Sequence, residues 1–198
     1  RAKRALKPRV LSCLGHLPDS VRYSGLGHIL MFHRVVTQAE MSTFGLSAFE
    51  ITPQTLKELV DFYRQRGFRI ISIDQMCNEL AGNAAKQRFV VFTFDDGYRD
   101  TLTLAYPILK AHGAPFTVNI TWNYAERKAI KWDYAAEKVI KENRWVAAEL
   151  RHRVLDLDCS TPGAKQHAFD TLLEALHGLD QGTAEDEMHD FFSSFGMD

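Results

Sequence analysis

One short stretch, FVVFTFDDGYRD (Phe89–Asp100), constrains this chain more than any other. Six of its first seven residues are apolar or threonine, and two adjacent carboxylates, Asp95 and Asp96, follow at once. The run does not alternate in polarity, as expected of a strand covered on both faces within a parallel sheet. Charged groups at the end of such a strand are costly unless they are paired or do chemistry. In parallel α/β folds active sites gather at the carboxyl ends of strands. Side chains at successive strand positions point to opposite faces, so the two carboxylates converge only if the backbone turns immediately, and Gly97 permits that turn. Two close carboxylates also repel unless a cation lies near, which points to a divalent metal with one aspartate as ligand and one as base. Capping of the following helix by one aspartate is the plainer reading; two in succession exceed what a cap requires.

The surrounding pattern is α/β. GHILMFHRVV (27–36) reads as a buried strand. TPQTLKELVDFYRQRG then reads as a helix, with Thr52 as cap, Pro53 in its first turn and Gly67 closing it. FRIISI (68–73) is a short strand and DQMCNELAG a short helix. After the aspartates, YRDTLTLAYPILKAHG reads as a helix bent at Pro107, and APFTVNI (114–120) as a fourth strand. Beyond Trp122 the apolar spacing of Tyr134, Val139, Ile140, Val146, Leu150 and Val154 is helical, and no further strand is expected. The organisation is a basic amino-terminal segment (1–26), an α/β part (27–124) and a helical subdomain or insertion (125–198).

Composition narrows the partners. The 198 residues carry a formal net charge of -1, which gives no reason to expect nucleic acid or an anionic membrane. The basic start, RAKRALKPRVL, is too short to span a membrane. Three widely separated cysteines, Cys13, Cys77 and Cys159, suggest no disulfide framework, and reduced thiols favour a cytoplasmic setting.

TFDDGY (93–98), with ILMFHRV (29–35) upstream and YPILKAHGAPFTVNI downstream, resembles the polysaccharide deacetylases, the NodB-homology family. The resemblance covers about residues 27–132. It implies a distorted (β/α) barrel, partial here, and a hydrolase that removes N-acetyl groups from a carbohydrate polymer by cleaving an amide C–N bond. By position it implies Asp95 as general base and Asp96 as ligand of a divalent metal, commonly zinc. The family's two histidine ligands, spaced H-S/T-x-x-H, have no counterpart: none of the eight histidines stand four apart. The expectation is therefore the amino-terminal portion of a deacetylase, inactive by itself, whose open sheet edges promote self-association. The alternative is a non-catalytic carbohydrate-binding or interaction module.

Other candidates keep two readings each. His33 and Tyr98 line the pocket and touch substrate, or pack locally. Arg34 pairs with a pocket carboxylate or sits in a surface ion pair. Trp122 follows a strand's carboxyl end and is the tryptophan best placed to stack on sugar; Trp122, Trp132 and Trp145 are otherwise expected in the core.

Overall fold

A computed structural model describes residues 25–82, 87–150, 153–178 and 184–197. The basic start up to residue 24, with Cys13, and His152 lie outside the described residues. The chain is mixed α/β and divides into two compact units, one of residues 1–41 and 47–121, the other of 42–46 and 122–198.

The first unit is built on a four-stranded, all-parallel sheet. Its centre is β5 (Phe89–Asp95), preceded by β1 (Gly27–Phe32), β2 (Arg34–Val35), β3 (Glu50–Ile51) and β4 (Arg69–Ile70), and followed by β6 (Phe116–Asn119). β1 pairs with β5 along its whole length, Gly27 opposite Phe89 through Phe32 opposite Phe94. The other edge of β5 is shared: β4 meets its start and β6 its end, where Asn119 stands opposite Asp95. β2 and β3 form a separate parallel pair.

Both faces of β5 are covered, which explains its unbroken apolar sequence. Val90, Phe92 and Phe94 face one way and pack with Leu56, Val60 and Tyr63 of α1 (Pro53–Gln65), and with Leu109 of α3 (Tyr106–Ala111). Phe89 and Val91 face the other way, against Ile71 and Met76, the latter from α2 (Ile73–Ala81). The helix signals act as read: the Thr52 hydroxyl accepts from Thr55 N at 3.1 Å, and Gly67 takes φ +74°. Ser72 and Gln75 close a capping box on α2, so this helix starts at Ile73 and the preceding strand shrinks to two residues.

Three expectations need correction. The first strand breaks at His33, and it is not buried throughout: Ile29 and Met31 are 56% and 63% exposed. They lie on the face of Val91 and Thr93, but at the sheet's edge, where little covers that face. The helix around Pro107 is compound: a π-helical turn, Thr101–Ala105, precedes α3, and Pro107 sits in the first turn of α3. There its missing N–H costs nothing.

The third correction concerns the second unit. It contains α4 (Trp122–Ala125), α5 (Trp132–Glu142), α6 (Pro162–His177) and α7 (Ala184–Ser193), but also an antiparallel hairpin, β7 (Trp145–Leu150) with β8 (Arg153–Asp158). A spacing of four satisfies a strand's period of two as well as a helical turn. Val146 and Leu150 are buried with Leu155 and Leu157, whereas Val154, assigned to the same apolar stripe, is 76% exposed. This hairpin and α5, α6 and α7 enclose a core of Val139, Ile140, Phe169, Leu172 and Phe192. Phe44 stacks on Phe169 at 5.1 Å.

Gly27 marks the closest approach in the first unit. A Cβ there would meet the Phe89 ring and lie 2.7 Å from the Phe89 carbonyl oxygen. Gly27→Ala therefore pushes β1 off β5, and we expect it to cost about 1–3 kcal/mol in urea unfolding. Wild-type stability in this variant would show that the strand can shift freely.

Candidate functional site

The aspartates stand where β5 ends. Asp95 is the last residue of the strand and half-buried. Asp96 takes φ +69° and Gly97 φ +70°. Two successive left-handed residues are tolerable here because aspartate is among the few side chains that accept this region and glycine accepts it freely. The turn thus begins one residue earlier than Gly97 alone would allow, at Asp96 itself.

Residues at the end of β6 hold both carboxylates. Asn119 Nδ2 donates to Asp95 Oδ1 at 2.8 Å across the parallel ladder. Thr121 Oγ1 donates to Asp96 Oδ1 at 3.1 Å. Residues 119 and 121 share one side of an extended chain, so one short segment contacts the two aspartates together. The sequence reading missed both. Their only signal is polarity at the end of an apolar strand, in NIT, which becomes informative once β6 is known to pair with the end of β5.

A second layer fixes the turn from behind. Asp100 Oδ2 accepts from Arg34 Nε at 2.9 Å, and Oδ1 accepts from Val35 N at 3.1 Å. Arg34 also lies 3.8 Å from the buried Glu50 carboxylate and 5.2 Å from the centre of the Tyr98 ring. Arg34 therefore pairs with Asp100 and Glu50, and Tyr98 packs beneath it. His33 sets its ring edge-on to Phe49 at 5.3 Å. Trp122 belongs to the second unit. The core placement expected of the tryptophans fails for two of them: Trp122 is 67% exposed and Trp145 53%, the latter because it occupies the outward face of the hairpin.

Removing Asp100 strands a backbone donor at Val35, which has no accessible surface. Asp100→Ala should lower stability by about 1–3 kcal/mol. Asp100→Asn, which keeps an oxygen for Val35 N, should lose less, as read from paired denaturation curves.

The donor set bears on a metal. Among the described residues no group of three or more His, Cys, Asp or Glu side chains is placed to hold one. Asp95 and Asp96 alone fall short of the three protein ligands of a catalytic zinc site, so the described residues do not fit a complete zinc centre.

Residues 82–149 match the polysaccharide deacetylase family. The matched stretch runs from just after α2 through the aspartate turn and β6 into β7. No curated protein matches the chain. Solved structures that resemble it include a de-N-acetylase from Aggregatibacter actinomycetemcomitans, at 19% identity, covering 68% of this chain and 45% of that one, with TM-score 0.40. The Streptococcus pyogenes deacetylase PplD in complex with acetate aligns at 25% identity over 56% of this chain and 51% of its own, with TM-score 0.41. The BpsB deacetylase domain from Bordetella bronchiseptica aligns at 19% identity over 73% and 50%, with TM-score 0.34. The chain spans about half the length of these structures.

Proposed function

We propose that these residues form the acidic part of a carbohydrate N-deacetylase site, on part of a NodB-like (β/α) barrel. The observation that carries the reading is the Asp95–Asp96 turn, at the carboxyl end of the central strand and inside the deacetylase match. Asp95 is the general base: it takes a proton from the water that attacks the acetamide carbonyl carbon. As the tetrahedral adduct collapses, the proton that Asp95 took passes to the departing nitrogen, the C–N bond breaks, and acetate and a free amine result. Asn119 holds one oxygen of the base and so fixes its orientation.

Asp96 is proposed as one ligand of a divalent metal, zinc by the family resemblance, with the remaining donors supplied from beyond the described residues. Within the first unit, His33 and Tyr98 are the proposed sugar contacts. By itself this chain should bind zinc more weakly than about micromolar and release no acetate. Calorimetry and an acetate assay on the chain check this; tight binding with turnover would show that the site is complete.

The shortage of metal donors among the described residues favours a second reading, a carbohydrate-binding module without catalysis. The deciding assay is acetate release from an N-acetylglucosamine oligomer by the product of the entire reading frame containing these residues, in zinc and in chelator. Zinc-dependent release supports the enzyme, and oligomer binding without release is expected of the module. The edge of β1 that pairs with no strand among the described residues, with Ile29 and Met31 exposed beside it, is the proposed route of self-association, which light scattering across a concentration series measures.

A further inference from the structure

Asp96 and Gly97 are both left-handed, at φ +69° and +70°. Aspartate tolerates this region but does not prefer it. An extended backbone at Asp96 would carry its carboxylate to the opposite side of the chain from Asp95. The turn therefore depends on anchors to either side of it. Before it stands the β5 ladder, and Asn119 and Thr121 hold the two carboxylates themselves. After it, the chain is fastened to β2 at Tyr98 and Asp100.

That fastening is ionic and sheltered. The Asp100 side chain, 12% exposed, accepts from Arg34 Nε at 2.9 Å and from Val35 N at 3.1 Å. The parallel pairing of β2 with β3 sets Glu50 opposite Arg34, and the buried Glu50 carboxylate lies 3.8 Å from the guanidinium. The same guanidinium stands 5.2 Å from the centre of the Tyr98 ring, and the Tyr98 carbonyl accepts from Thr101 N at 3.1 Å. One planar fork thus joins two carboxylates and an aromatic face from separate segments, which a lysine ammonium does not reproduce. The break at His33 makes this possible: β1 ends at Phe32, and Arg34 pairs with β3 instead of continuing along β5. Sheltered ion clusters stabilise a fold poorly, because apolar side chains of similar shape do as well. Their best-attested use is to fix one relative placement of the segments they join. Here those segments are β2, β3 and the residues directly after the aspartate turn.

We infer that Arg34 is a positioning residue: through Asp100 it holds the Asp96–Gly97 turn in its left-handed form, and so sets where Asp95 and Asp96 stand. The catalytic consequence rests on the proposed deacetylation, whereas the hold on the turn is measured without it.

The test is Arg34→Lys, with Arg69→Lys as control. Arg69 also grips a carboxylate twice, Glu79 at 3.0 and 2.5 Å, but it stands opposite Phe89, at the start of β5. On the chain, backbone chemical shifts of Asp96 and Gly97 report their φ, and amide exchange at Val35 reports its bond to Asp100. Arg34→Lys should move those shifts away from left-handed values and speed Val35 exchange about tenfold, the loss expected for one sheltered hydrogen bond. Arg69→Lys should leave both readouts unchanged. In the product of the entire reading frame, Arg34→Lys should lower kcat about 10–100-fold, as displaced catalytic groups do. KM should stay within about twofold, because lysine keeps a charge over the Tyr98 ring. If Arg34→Lys fails to fold, R34M/E50Q, which removes the buried Glu50 charge with its partner, carries the same expectations. Unmoved shifts in a folded variant, an equal response in the Arg69 control, or unchanged kcat with a displaced turn overturns the inference. A displaced turn in the chain, with no acetate released by the wild-type product of the entire reading frame, would sink the proposed reaction and leave the hold of Arg34 on the turn standing.

Discussion

Phe92→Ala is expected to cost about 3–5 kcal/mol, the largest stability loss of any single substitution considered for this chain. Phe92 has no accessible surface and sits mid-way along β5. It stacks with Phe32 of β1 at 5.8 Å and meets Tyr63 of α1 edge-on at 6.5 Å. The truncation therefore opens a void where strand, neighbouring strand and covering helix meet, and the surrounding aromatic rings cannot collapse into it without leaving their rotamers. A loss of that size rivals the whole stability of a small unit. Urea titration should show the first unit unfolding at much lower denaturant, with tryptophan signals from the second unit lagging behind. A loss under 1 kcal/mol would mean that the sheet is not held by this layer.

Asp95→Asn is expected to lower acetate release by two to four orders of magnitude in the product of the entire reading frame, with little change in substrate binding. The amide keeps the shape of the carboxylate and can still meet Asn119, so the strand end should remain folded. What it loses is the capacity to accept a proton from attacking water. Asn119→Ala tests the supporting role separately: it frees the carboxylate to turn, and should reduce kcat while leaving KM nearly unchanged. Wild-type rates in Asp95→Asn would remove Asp95 from the chemistry, whatever the fate of the metal.

The parts of the structure that were legible in sequence are those set by local chemistry. Thr52 and Thr161 announce their helices because a hydroxyl before a proline-led turn satisfies free N–H groups, and both do so here. β5 was legible because its first six residues are buried and none of them is charged. The hairpin was not, because Val146, Leu150 and Val154 fit two periods equally, and only the burial of Leu155 and Leu157 with the exposure of Val154 separates them. At the site, Asp95 and Asp96 stood out by cost alone. Asn119 and Thr121 did not, since their importance comes from pairing between strands more than twenty residues apart, which no local pattern encodes.

Residues 42–46 group with the second unit although the chain on either side groups with the first. Phe44 and Leu46 belong to the second unit's core, and Thr43 N donates to Glu137 at 3.4 Å. The second unit is thus encoded in two separate pieces. A single cut near residue 122 would release a fragment missing one of its own aromatic layers, so transplanting this unit into another protein requires both pieces. Residues 36–50 serve both units, so an insertion there should be felt in both.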